Sequence, residues 1–291
     1  MRNFYSIYLL ILLLSLSSCA TYKDTDNRWA MNANVCKKLR GDVLVYAVFV
    51  DIKELPNWEQ KDVNRTIDSL KIAMDWIKEK ATKEEIPLNF RFEYFKKQQT
   101  IDKNFPEKLS NALYNINNGL GLDKINKWSD NVSKLVGNMY DTKVWTDSFP
   151  HVTKPNNTER LIALLRDEYH TENVVLFFML NGERSKQISV SMNRASNENI
   201  EYEINSFNYA SIFAFEILNL FGAANLYTPE VSGKGKSKTY AQYSIPNDVM
   251  VNPFSSLTEL EISGFTQYMI GWNSEVKDGY EKLFRNRKYK K

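Results

Sequence analysis

Apolar positions fall into two rhythms along the chain. "DVLVYAVFVD", Asp42–Asp51, is a nearly unbroken apolar run rich in β-branched residues, which predicts a strand buried on both faces. Val63, Ile67, Leu70, Met74 and Ile77 then recur at alternating steps of four and three, the stripe of a helix laid on that sheet. In "IPLNFRFEYF", Leu88, Phe90, Phe92 and Tyr94 alternate with Asn89, Arg91 and Glu93, as in a half-exposed strand. "NVVLFFML", Asn173–Leu180, reads as a second buried strand, and "QISVSMN", Gln187–Asn193, alternates like an edge strand. Helices are expected over Thr158–Tyr169, with Thr158 as N-cap, over the shorter segments Leu109–Ile116 and Val132–Met139, and over Leu257–Ile270. Residues 232–238, rich in Gly, Lys and Ser, read as a loop. This alternation of strands and helices predicts an α/β domain, a mixed β-sheet with packed helices, over residues 41–280.

The first residues follow a different pattern. Arg2 precedes an apolar run of 13 residues, Phe4–Leu16, too short for a membrane span and suited to a signal peptide over residues 1–18. The run ends in "LSSC", which resembles a bacterial lipobox. That resemblance implies lipidation of Cys19, a polar tether over residues 19–40, and a lipid-anchored protein of the cell envelope, in the outer membrane because no Asp follows Cys19. The periplasmic and surface-facing leaflets stay equally open. With Cys19 lipidated, Cys36 has no partner for an internal disulfide, so the fold depends on its core. At 43% hydrophobic and 13% aromatic residues, the 291-residue chain can bury one.

Charge narrows the partners. The formal net charge is +3, and five of the last eight residues are basic, a solvated tail over residues 281–291. No aromatic residues interleave with a basic stripe, so no nucleic-acid partner is expected. No Gly-rich loop follows a strand, which sets nucleotide cofactors aside. The chain has only two histidines, His151 and His170, and they are not at a metal-ligand spacing; both read as surface residues.

The stretch "FAFEILNLFGAANLYTP", Phe213–Pro229, carries the candidate chemistry. Two histidines at i and i+4 on a helix can grip one zinc, and a glutamate at i+1 can take a proton from the metal-bound water. Here Phe215 stands at the first of those positions, Glu216 at the second and Asn219 at i+4; Gly222 lies seven residues after Phe215 and Asn225 ten. With "NDVMVNP" around Met250, the stretch resembles the metzincin-like zinc metallopeptidases secreted by Bacteroidetes. The resemblance extends to "VLVYAVFVDIKELPNW" and "LEISGFTQYMIGW".

The resemblance implies a zincin fold with an active-site-type helix and a Met-turn at Met250. Gly222 would end the helix, and Glu216 would be a vestigial general base. Phe215, Asn219 and Asn225 would stand where metal ligands belong. Phe has no lone pair to offer, and Asn offers only a neutral carbonyl, a poor match for zinc. The expectation is therefore a pseudo-peptidase without metal, cofactor or catalytic residue, binding peptide or protein through the former substrate cleft. Zincins hold an extended substrate along an edge strand, and Gln187–Asn193 is the candidate edge. Other readings stay open: an active peptidase with an unrecognised ligand set, a structural envelope lipoprotein, and a plain core helix in which Ile212, Phe215, Leu218 and Phe221 are packing residues. Calcium held by Asn219 and Asn225 lacks a supporting loop spacing.

Overall fold

The computed structural model describes residues 38–105, 122–140, 156–182, 189–192, 201–227, 235–275, 279–280 and 283. The lipobox with Cys19, Cys36, His151 and the helix expected over Leu109–Ile116 lie outside them.

Strand β1 (Gly41–Asp51) is buried almost throughout and lies inside the sheet, with strands on both sides. Helix α1 (Gln60–Lys83) follows, and Val63, Ile67, Leu70, Met74 and Ile77 are all buried, as the stripe requires. Strand β2 (Leu88–Tyr94) returns parallel to β1, from Gly41 opposite Leu88 to Ala47 opposite Tyr94. The two-residue strand β3 (Ile101–Asp102) continues along the same side of β1, pairing with Val50 and Asp51. Helices α2 (Leu122–Gly137) and α3 (Asn157–Tyr169) then lead to β4 (Asn173–Leu180), parallel to β1 on its other side. The crossover from β1 to β2 runs one way along the sheet, and the crossover from β3 to β4 runs the other. Crossovers of one hand must then place the helices on opposite faces. Accordingly, α1 packs with Val43, Val45, Ala47 and Phe49, whereas α2 and α3 pack with Leu44, Tyr46, Val48 and Val50.

Beyond β4 lie β6 (Tyr202–Asn205), parallel to it, and the edge strand β5 (Ser189–Met192), antiparallel to β6. The sheet order is β2-β1-β4-β6-β5, a mostly parallel mixed sheet. Helix α4 (Ala210–Leu220) packs against α1 on the first face. Helices α5 (Gly235–Ser244) and α6 (Gly264–Met269) complete the described elements. Hydrogen bonds join the beginning of the domain to its end: Leu39 N–H donates to the Ile270 carbonyl at 3.2 Å, Trp272 Nε1–H donates to the Leu39 carbonyl at 2.6 Å, and the Arg40 guanidinium donates to the Gly271 carbonyl at 3.4 Å. Leu283, inside the segment read as tail, is buried in the first layer.

Several expected boundaries need correction. The N-cap of α3 is Asn156, which forms a capping box with Glu159; Thr158 is already helical, and its hydroxyl accepts from Ser133 at 3.1 Å. Val132–Met139 is the second half of the longer α2, which stops at Gly137. Helix is confined to α6 in Leu257–Ile270, because Ser263 caps a new helix there and the residues before it form turns. Residues 235–238, expected in a loop, open α5. The edge strand is described over Ser189–Met192 only, and the apolar pattern predicts neither β3 nor β6.

Candidate functional site

Helix α4 is apolar on nearly every side, and all of Ser211–Leu220 is buried. Such a helix has to lie inside the molecule. Its end is set by Gly222, whose φ of 98° is left-handed. Gly222 N–H donates to the Asn219 carbonyl at 3.0 Å and Ala223 N–H to the Leu218 carbonyl at 3.0 Å, the paired bonds of a Schellman motif. The chain therefore turns at Gly222.

The segment after the turn meets the Met250 loop. Leu226 N–H donates to the Met250 carbonyl at 3.1 Å. The loop is organised by Asp248, which is completely buried: its carboxylate accepts from Met250 N–H at 2.7 Å and from Ser263 N–H at 2.8 Å. Its backbone carbonyl also accepts from Val251 and Asn252, so Met250 sits on a tight turn. Burial raises the Asp248 carboxyl above its ordinary range, although these hydrogen bonds oppose the shift. Phe215 and Met250 are both buried and belong to the same apolar layer, along with Leu226 and Ile262.

Glu216 and Asn219 face a polar cluster instead. The Glu216 carboxyl is 2% exposed and lies within hydrogen-bonding distance of Ser189 Oγ and, at 2.6 Å, of Ser191 Oγ, both on β5. The same two hydroxyls meet Glu203 on β6, Ser189 at 3.1 Å and Ser191 at 2.6 Å. Asn219 Nδ2 donates to Ser191 Oγ at 2.8 Å. Two buried carboxyls thus face each other across a pair of serines. Burial, and then the neighbouring Glu216 charge, push the Glu203 carboxyl well above the ordinary range. Glu216 is also raised by burial, against the opposing hydrogen bonds from Ser189, Ser191, Glu203 and Asn219.

The expected site residues therefore divide. Glu216 and Asn219 join in one polar cluster; Phe215 and Met250 lie in the apolar layer; Gly222 supplies the turn; Asn225, half-buried, lies just past it. The donor set does not fit zinc. Phe215 offers no ligand atom, Asn219 gives its amide N–H to Ser191, and among the described residues no three His, Cys, Asp or Glu side chains gather where a metal could be held. His170 is exposed at the left-handed end of α3.

Glu203, Ser189, Ser191 and Asp248 escaped the sequence reading. The one available signal was the alternation in "EYEIN", which places Glu203 on one face of a short strand and Tyr202 and Ile204 on the other. A crevice elsewhere, at the carboxyl ends of β4 and β6, is lined by Trp58, Asp62, Thr66, Asn181 and Ser206 and has room for about one water molecule. No protein-family model matches this chain, nor does any curated protein or solved structure.

Proposed function

We propose that this chain is a catalytically inactive protein of metzincin-like form, a lipid-anchored envelope protein attached through Cys19, that binds extended peptide along β5. The observation carrying this reading is what stands at the ligand positions. Phe215 is packed in an apolar layer, and Asn219 donates to the edge strand. The surrounding frame supports the same reading. Gly222 ends the helix seven residues after Phe215, and the Met250 turn is bonded to the segment carrying Asn225. Without a metal, water keeps a pKa near 15.7, and Glu216 has no activated nucleophile to generate.

The edge strand gives the binding mode. Among the described residues β5 pairs with β6 on one side and ends the sheet on the other, so an added strand would extend the ladder. The space between β5 and α4 is filled by the Glu203, Glu216, Ser189, Ser191 and Asn219 side chains. Peptide would therefore be held by backbone pairing at the rim rather than by a deep pocket. That filled space also favours a second reading, a structural envelope protein that binds no peptide.

The test is a screen of extended peptides against the purified protein, alongside elemental analysis. Binding that is abolished by a proline at an outward-facing N–H of β5, without zinc and without hydrolysis, is the expected result. No binding by any peptide would favour the structural reading. About one zinc per chain with chelator-sensitive proteolysis would replace both with an active peptidase. Lipidation is checked by mass spectrometry of the membrane fraction, where the N-terminal residue should be a diacylated Cys19; cleavage elsewhere, giving soluble protein, would remove the anchor.

A further inference from the structure

The hydrogen-bond inventory around Glu203 and Glu216 does not close if both are ionised. Each serine hydroxyl has one proton to donate and can accept two. Ser189 and Ser191 together make four contacts to the two carboxyls, one to each oxygen. Two hydroxyl protons can satisfy only two of them. The other two would bring oxygen lone pairs together, at 2.6 Å where Ser191 is involved, against carboxyls that are themselves buried.

The contacts close into a ring if each carboxyl carries a proton. Ser189 donates to Glu216 Oε1, Glu216 donates through Oε2 to Ser191, Ser191 donates to Glu203 Oε2, and Glu203 donates through Oε1 back to Ser189. Asn219 Nδ2 fills the remaining lone pair of Ser191. Every hydroxyl and carboxyl then gives one hydrogen bond and receives one within the ring.

No other described charge offsets this pair. The described part of β5 and the segment of β4 beside Glu203, Phe177–Met179, carry no ionisable side chain. α4 has Glu216 alone. Glu201, just before β6, is also buried and would add negative charge if ionised. On α1, the buried Asp62 is engaged with Arg65 and Asn181.

We infer that Glu203 and Glu216 are held as neutral carboxylic acids and, with Ser189 and Ser191, form a proton-dependent latch that fixes edge strand β5 to α4 and β6. Apart from the latch, β5 has a ladder of four residue pairs and an exposed end at Ser189. Removing the protons sets two buried carboxylates against each other and leaves the strand held by that ladder and by the Asn219 bond to Ser191. Rising pH therefore opens the edge of the sheet, and falling pH closes it. The consequence for peptide capture, tighter binding at lower pH, rests on the proposed function. The latch itself is tested without peptide, so the two can fail separately.

The test is amide hydrogen exchange in the full protein across a pH series, corrected for the intrinsic base-catalysed rate. Opening of β5 and its β6 partners should rise about tenfold per pH unit for each proton released, while β1 stays protected. In Glu203→Gln/Glu216→Gln, each carboxamide keeps a donor and an acceptor but has no titrating proton, so β5 protection should not vary with pH. Protection of β5 that follows β1 at every pH overturns the latch. So does a double variant that loses protection as the unmodified protein does. If the double variant does not fold, carboxyl-carbon NMR of glutamate-labelled protein decides. Two glutamates still protonated at neutral pH uphold the inference, and titration of every glutamate in the ordinary range refutes it.

Discussion

The Asp248 carboxylate accepts the backbone N–H of Ser263, fifteen residues further on, at 2.8 Å, and both residues are buried. Asp248 thereby ties the Met250 turn to the capped start of α6. The backbone reinforces the tie: Val249 N–H donates to Glu261, and Glu261 N–H to Asn247. Asp248→Ala would strand the N–H groups of Met250 and Ser263 in the interior. Such a loss costs about 1–3 kcal/mol per group, so a destabilisation of about 2–6 kcal/mol is expected. Asp248→Asn, which keeps one acceptor, should lose less. Denaturant midpoints at constant slope check both.

Two glycines should respond to alanine with opposite signs. Gly222 is left-handed, and a methyl there is strained by about 1–2 kcal/mol; Gly222→Ala should destabilise by that amount. Gly137 ends α2 with nothing within 4 Å of an added Cβ and no left-handed φ. Gly137→Ala should stabilise by about 0.4–1 kcal/mol. Thermal melting of both variants tests the difference, and equal shifts of the same sign would contradict the Schellman assignment.

Global stability should fall as pH rises from the mildly acidic range. Glu203, Glu216 and Asp248 have raised carboxyl pKa values in the folded state. The native protein therefore holds protons that the unfolded chain releases. Their contribution is full below the ordinary carboxylate range and is lost as pH climbs through the raised native values. Chemical denaturation at several pH values should show a decline toward alkaline pH. It should be smaller in Glu203→Gln/Glu216→Gln. Stability that rises steadily from mild acid to neutrality would contradict the assignment.

A metal site should be recoverable from the frame. Phe215→His, Asn219→His and Asn225→His together place imidazoles at the three ligand positions around the Gly222 turn. Removing the buried Phe215 ring costs about 3–5 kcal/mol if a cavity remains, so the metal-free variant should melt lower. Zinc that binds only the folded state should restore part of the loss. Melting temperatures with and without zinc read this directly. A folded variant indifferent to zinc would count against the metzincin-like reading. A rise that persists when Asn219 is left unchanged would place the metal elsewhere.

The legible parts of the fold were those obeying one periodicity over many residues. β1 and β4 are long apolar runs, and α1 keeps its stripe for four turns. β6 was illegible because a four-residue buried strand carrying Glu203 and Asn205 breaks the rule that buried strands are apolar. It can break that rule because serines on another strand take up the Glu203 carboxyl. Leu257, Leu260 and Ile262 misled in the opposite direction. They fall in the range expected as helix, yet Leu260 and Ile262 are buried from irregular backbone on either side of Glu261, which pairs with Asp248. At the site, Glu216, Gly222 and Met250 were singled out by the resemblance of "FEILNLFGAANLY" and "NDVMVNP" to the metzincin pattern. Their partners Ser189, Ser191, Glu203 and Asp248 were not, because tertiary contacts rather than a local repeat bring them together.

The bonds between Leu39 and the Ile270–Trp272 segment also govern how the domain would bear force. A pull on the chain ahead of Leu39 first loads the Trp272 indole and the Ile270 carbonyl, then β1. β1 runs parallel between β2 and β4, so tension along it shears both ladders at once instead of unzipping them pair by pair. Forced unfolding is governed by the unfolding rate rather than by equilibrium stability. Stretched from its amino end, this domain should therefore behave as a stiff link that yields abruptly, with the clasp at Trp272 as its first point of failure.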